Sequence, residues 1–244
     1  MATIVLVPGA GLGGWAWDRV APLLRDAGHD VRPVTLTGLG DDGDGSEGAR
    51  ADLSRHVADL VELLERDDLR DVVLVGHSFS GLAISGAAAA APERIARLVY
   101  LDASLPVDGV SAFAAAGPEF EQAIVAAVEA GGDPDRIPWF GDEQLDAYYD
   151  GHELTPQQSA AIRARTPGHP LATMREALDG LDAAGGVPRV YVTCLRRAFP
   201  SPIGDDTPGW RHATLDAGHW PMLTRPQETA ELLDALAREA VTAG

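Results

Sequence analysis

The sequence contains no lysine: all 19 basic residues are arginine, set against 37 aspartates and glutamates for a net charge of −18 over 244 residues. Without lysine there can be no Schiff base to a carbonyl substrate or to pyridoxal phosphate, and no phosphate-binding loop of the G-x-x-x-x-G-K-[ST] type. So acidic a chain would repel phosphate backbones and anionic membrane surfaces, so neither nucleic acid nor a membrane is an expected partner. Cys194 is the single cysteine, which excludes an internal disulfide and a cysteine-rich metal site and fits a reduced compartment. No stretch reaches the ~18 uninterrupted apolar residues of a membrane span, and the alanine run Ala87–Ala91 stops at Pro92. The opening M-A-T-I-V-L-V-P-G lacks the basic region, apolar stretch and small-residue cleavage site of a signal peptide. Together these absences predict a soluble cytoplasmic protein.

What is present is an ordinary globular composition, 45% hydrophobic and 23% charged, enough for a full core in one large domain or two small ones. Short β-branched or leucine-rich runs alternate with stretches of helical period, the pattern of parallel strands joined by crossover helices. The six runs are Thr3–Val7, Val31–Leu36, Val72–Val75, Leu98–Leu101, Arg189–Thr193 and Arg211–Leu215, most of them continuously apolar as for strands covered on both faces. Val20, Leu23, Leu24 and Ala27 recur at helical spacing, as do Leu53, Val57, Leu60, Val61 and Leu64. A last helix is expected from about Gln227 to Val241, led in by Thr224 and Pro226. Residues 106–186 break the alternation and carry the aromatic group Trp139, Phe140, Tyr148 and Tyr149. They read as a cap inserted after the fourth strand, above the strand ends where open α/β sheets bind ligands, with 1–105 and 187–244 as the core. The acidic, glycine-rich tract at 41–48 reads as a loop.

Within that frame, V-L-V-G-H-S-F-S-G at 73–81 ends a predicted strand, precedes an alanine-rich helical stretch and places Ser78 in the turn. The pattern approximates G-x-S-x-G, a strained strand-to-helix turn that pushes a serine oxygen out over the end of a sheet. Its last glycine is displaced by one: position 80 is serine and glycine follows at Gly81, a mild steric variation. A nucleophilic serine needs a base, and His219 in A-G-H-W-P-M-L alone combines a post-strand loop with the order serine before histidine. The other histidines suit structural roles, and His77 is expected to point away from Ser78. The glycine-rich V-P-G-A-G-L-G-G-W at 7–15 can turn backbone amides toward a ligand. It also echoes a dinucleotide fingerprint, but the acidic residue expected ~20 positions on is replaced by Thr35-Leu36-Thr37-Gly38.

Taken together, P-G-A-G-L-G-G-W-A-W-D-R-V-A-P-L-L-R-D-A-G-H, T-L-T-G-L-G, G-H-S-F-S-G, L-V-Y-L-D-A-S-L-P, T-P-G-H-P-L-A-T and G-H-W-P-M-L resemble the α/β-hydrolase superfamily. They are closest in character to its branch of small plant methylesterases, hydroxynitrile lyases and bacterial esterase relatives. The resemblance implies a mostly parallel sheet of about six strands flanked by helices, Ser78 as nucleophile, His219 as general base, and an oxyanion hole from the N–H groups of Ala10 and Phe79. It implies no metal and no organic cofactor. The family's usual aspartate after the fifth strand is missing: the chain reads T-C-L-R-R-A-F-P, with Arg196 or Arg197 in its place. A cation cannot orient a histidine N–H. Asp102 at the end of the fourth strand, Asp205 or Asp206 beyond the arginines, or no acid at all are the alternatives. The plant lyases of this fold carry a lysine after the histidine and a threonine in the oxyanion loop, where this chain has Trp220 and Gly9, so cyanohydrin cleavage is not expected.

The expectation is therefore a serine hydrolase of a small or medium apolar carboxylic ester, such as a methyl ester or lactone. Trp15, Trp139, Phe140 and Trp220 are candidates to line the pocket, whereas Trp17 suits core packing. Two other classes stay open: a non-hydrolytic tailoring enzyme for elimination, cyclisation or rearrangement, and a small-molecule binding protein. A homodimer is the one association left open.

Overall fold

A computed structural model describes residues 1–40, 45–196 and 200–242. Its centre is a six-stranded, all-parallel sheet in the order β2-β1-β3-β4-β7-β8, from β1 (Thr3–Val7), β2 (Asp30–Pro33), β3 (Val72–His77), β4 (Ile95–Leu101), β7 (Arg189–Cys194) and β8 (Arg211–Leu215). Alternate side chains of a strand point to opposite faces, and here both faces are covered, which is why the runs are apolar throughout. Ile4, Leu6, Val73, Val75, Val99 and Leu101 pack on one side with Leu24 of α1 (Ala21–Asp26) and Leu233 and Leu236 of α11 (Pro226–Thr242). Val5, Val7, Leu74, Leu98 and Tyr100 pack on the other with Leu60 and Leu64 of α3 (Leu53–Arg66) and Ala83, Ile84 and Ala87 of α4 (Ser80–Ala90). The sequence places α3 where Leu53, Leu60 and Leu64 share a buried stripe, and Asp52 caps it by accepting from the Arg55 N–H at 2.8 Å.

The second strand is shorter than its apolar run predicts, ending at Pro33 rather than Leu36. Thr35 has turned toward the glycine loop after β1, where its hydroxyl accepts from the Gly14 N–H at 2.8 Å. The fourth strand is longer and begins at Ile95. Between β4 and β7 lie the helices α5 (Ala112–Ala116), α6 (Pro118–Gly131), α7 (Asp142–Tyr148), α8 (Pro156–Arg165) and α9 (Ala172–Arg175). Two short strands among them, β5 (Arg136–Ile137) and β6 (His169–Pro170), pair antiparallel. Two further short α-helices are α2 (Gly45–Ala49), which overlaps the tract read as a loop, and α10 (Pro221–Thr224), just after His219. Residues 41–44 of that tract lie outside the described residues, as does Arg197. Among the described residues no helix is long and apolar enough to cross a membrane.

Candidate active site

The turn between β3 and α4 holds Ser78 at φ +54°, a left-handed conformation costly for a residue with a Cβ. It is pinned from both sides: the Ser78 N–H donates to the Leu101 carbonyl at 3.2 Å, and its own carbonyl accepts from the Ser104 N–H at 2.9 Å. Crowding around the turn explains the displaced glycine. A Cβ on Gly81 would overlap the Ser104 carbonyl oxygen, and one on Gly76 would come within 2.8–2.9 Å of Ile84 and the Ser80 carbonyl. Ser80 is buried, and its hydroxyl donates to the Pro8 carbonyl, tying the turn to the loop after β1. Gly9 of that loop faces the turn so closely that a Cβ would lie 2.9 Å from the Ser78 Cβ and 2.7 Å from His77 Nδ1.

His219 enters from the loop after β8. Its Nε2 lies 2.9 Å from Ser78 Oγ and its Nδ1 lies 2.6 Å from Asp102 Oδ2. A carboxylate only accepts, so Nδ1 carries the proton toward Asp102 and Nε2 is left to accept from the serine hydroxyl. Asp102 follows β4 directly; it is 4% exposed, also left-handed at φ +46°, and its N–H is taken by the Val192 carbonyl at 2.8 Å. The other proposed acids lie elsewhere: Asp205 meets His212 at 2.7 Å, and Asp206 is exposed. Arg196 turns to Asp216 and Glu153, at 2.8 and 2.7 Å.

The N–H groups of Ala10 and Phe79 border the site from the glycine loop and from the residue after the serine, and neither donates to a backbone carbonyl outside helices and strands among the described residues. The next amide, Gly11, donates instead to His169 Nδ1 at 3.2 Å, and His169 Nε2 lies 2.9 Å from the Thr173 hydroxyl. Burial holds the His169 imidazole well below its ordinary pKa, so it stays neutral and can accept. His77, expected to point away, lies beneath the histidine loop: its Nε2 donates to the His219 carbonyl at 2.6 Å, and burial followed by the neighbouring His219 pushes its pKa down to about 3.

Two cavities meet at Ser78. The larger, about 480 Å³, is lined by Asp102, Leu105, Tyr191, Arg196, Pro202 and His219 among others. The smaller, about 140 Å³, is lined by Ala10, Ile124, Ile137, Trp139, Phe140 and His169 among others. Of the four aromatic pocket candidates, Trp139 and Phe140 line the smaller cavity, and Trp15 and Trp220 line neither. Trp15 sits against the Arg165 guanidinium at 4.6 Å. Trp220 is 3% exposed and backs His219 and Tyr149 as an inner layer. Trp17 is fully buried in the core. Tyr149, not among the pocket candidates, faces both cavities and stacks on the His219 ring at 4.7 Å; burial raises its phenol to about 12, so it stays neutral. His169 lies in the T-P-G-H-P-L-A-T stretch but reads from sequence as one of the structural histidines; Tyr149 shows there only as one of an aromatic group, and nothing local marks Glu153.

A parallel sheet that presents a serine on a strained strand-to-helix turn, beside a histidine from the last strand's loop, is the architecture of an α/β hydrolase. The chain belongs to the alpha/beta hydrolase family, whose profile matches residues 4–232. A carbendazim hydrolyzing esterase from Nocardioides sp. is 35% identical over 97% of this chain and 100% of its own length. Putative methylesterase 11 of Arabidopsis thaliana is 28% identical over 96% of this chain and 63% of its own. Among solved structures, an extracellular alpha/beta-hydrolase from a Paenibacillus species superposes with a TM-score of 0.83 at 26% identity, covering 98% of this chain and 100% of that one.

Proposed function

We propose that the chain is a serine esterase for a small or medium apolar carboxylic ester, a methyl ester or lactone being the type that suits two modest cavities, with residues 106–186 as the cap over the site. The observation that carries the reading is the hydrogen-bonded line Asp102–His219–Ser78, at 2.6 and 2.9 Å. Ser78 Oγ attacks the ester carbonyl as its proton passes to His219 Nε2, and the N–H groups of Ala10 and Phe79 hold the tetrahedral oxyanion. His219 returns the proton to the departing alkoxide, leaving an acyl-Ser78 ester. Water then attacks that ester with His219 as base, releasing the acid and restoring the serine. Asp102 keeps Nδ1 protonated and stabilises the imidazolium formed in each half. The apolar walls of both cavities favour an uncharged substrate.

With a buried carboxylate at His219, the arginine pair gives no reason to look for elimination or rearrangement instead. The test is turnover of an activated short-chain aryl ester and labelling by a fluorophosphonate, on wild type and Ser78→Ala. Wild type should turn over and label, and Ser78→Ala should lose both, by ~10³-fold or more in kcat. No turnover and no labelling of the wild type would sink the proposal.

A further inference from the structure

At the junction between cap and histidine loop, three segments converge on one carboxylate. Glu153 stands at φ +62° with a side chain only 17% exposed. Its Oε2 accepts from the Gly218 N–H at 3.0 Å, and its Oε1 accepts from Arg196 at 2.7 Å and from Arg225 at 2.5 Å. Arg196 also grips Asp216 with two N–H groups, at 2.8 and 3.0 Å. Gly218, the residue before His219, is pressed against the cap so tightly that a Cβ would lie 2.5–2.6 Å from the carbonyl groups of Gly151 and His152. Tyr149, four residues before Glu153, covers the face of the His219 ring. On the other side of that residue, the His219 carbonyl is held by His77.

We infer that Glu153 is a positioning residue for His219, held in place by Arg196 and Arg225, so that seating the cap against the histidine loop fixes the direction of the imidazole. The inference rests on the serine-esterase reading of the same site. The bond from Asp102 sets where Nδ1 points but does not hold the backbone that carries the ring. Fixing the N–H of residue 218 and the carbonyl of residue 219 holds that backbone on both sides of the side chain. A largely buried carboxylate accepting from a backbone amide needs compensating charge, and the two guanidinium groups supply it in charge-assisted bonds. The arginine at the end of β7 thereby has a task of its own. A carboxylate there would face Glu153 and Asp216, two like charges, and would unseat the clamp.

The experiment compares wild type, E153Q and E153A for kcat and KM on the aryl ester, and records the downfield His219 Nδ1 proton resonance by NMR, which needs no turnover. E153A should lower kcat roughly tenfold with KM within about twofold, and should shift or broaden the resonance, because the base is misaligned while the cavities persist. E153Q, whose amide oxygen still accepts from Gly218 but without the charge, should fall between. Wild-type kcat and resonance in E153A would overturn the inference, as would E153Q being as impaired as E153A. If E153A does not fold, E153Q identical to wild type in both readouts overturns it. A wild type without turnover would sink the esterase reading, and the resonance would still decide whether Glu153 positions His219.

Discussion

β4 and β7 are neighbours in the sheet, paired Leu101 with Val192, and each ends beside the same histidine loop. Their ends carry opposite charges. Asp102 after β4 is almost fully buried and strained, and reaches His219; Arg196 after β7 is 42% exposed at its side chain and reaches Asp216 and Glu153. In the proposed mechanism the carboxylate that orients the imidazole comes from the β4 end rather than the β7 end, which leaves the β7 end able to carry a cation, provided acidic partners receive it. Depth separates the two: a charge in a buried site is felt strongly by its neighbours, whereas one at the surface is screened.

That difference predicts the largest effect at Asp102. Asp102→Asn keeps the shape but offers an amide that can hold His219 in the wrong tautomer, and kcat on the aryl ester should fall ~10³- to 10⁴-fold. Undiminished turnover would mean that the buried carboxylate is not the partner of the base. A sharper version adds Arg196→Asp to that variant. If the two strand ends were interchangeable, the double variant would recover; it should not, because the new carboxylate would stand beside Glu153 and Asp216, which now bind the arginine. Recovery above about tenfold over Asp102→Asn would show that the β7 end still reaches Nδ1.

Acid should attack the buried side of the comparison first. His77, which holds the His219 carbonyl, has its pKa pushed down to about 3, so it stays neutral in the folded protein while an unfolded histidine titrates near the ordinary value of about 6.5. Between those values the unfolded state binds the extra proton, and stability falls as pH falls. From pH ~6.5 to ~5 this amounts to about 1.5 kcal/mol for His77 alone. His56 and His169, also depressed by burial, act in the same direction. Urea midpoints measured across that range should decline, and a flat profile would contradict neutral burial of these rings.

The sheet and the serine turn were legible because their causes are local: apolar runs, alternation with helical stripes, and glycines at a crowded turn. The exchange of glycine and serine at 80–81 was readable as tolerable, but only the Ser104 carbonyl, brought in from the loop after β4, explains why Gly81 must be the small one. On the acid, sequence left Asp102, Asp205, Asp206 or no acid at all and stopped there, since the choice depends on which strand end lies against the histidine loop. Aromatic type likewise made Trp15 and Trp220 candidates to line the pocket, whereas both stand outside the two cavities, a placement that the fold and not the residue type decides. Glu153 carried no local signature because its partners Arg196, Gly218 and Arg225 lie 43, 65 and 72 residues away in the chain, and Tyr149 showed only as one of a group of aromatics because the His219 ring it stacks on comes from another loop.

The smallest effect expected lies at the outer edge of the β7 end. Asp216 binds Arg196 through two bonds and has its carboxyl held below the usual range, first by that hydrogen bond and then by the charge of the guanidinium. It is nonetheless 69% exposed at its side chain, so water and salt compete for both partners. Arg196 keeps Glu153 when Asp216 is removed, and Glu153 keeps Arg225 and the Gly218 N–H. Asp216→Ala should therefore leave kcat within about twofold of wild type and barely move Tm. A loss approaching that of Asp102→Asn would place the decisive charge at the surface, in the pair of Arg196 after β7 with Asp216 after β8, and the contrast between the β4 and β7 ends would be the reverse of the one drawn from their burial.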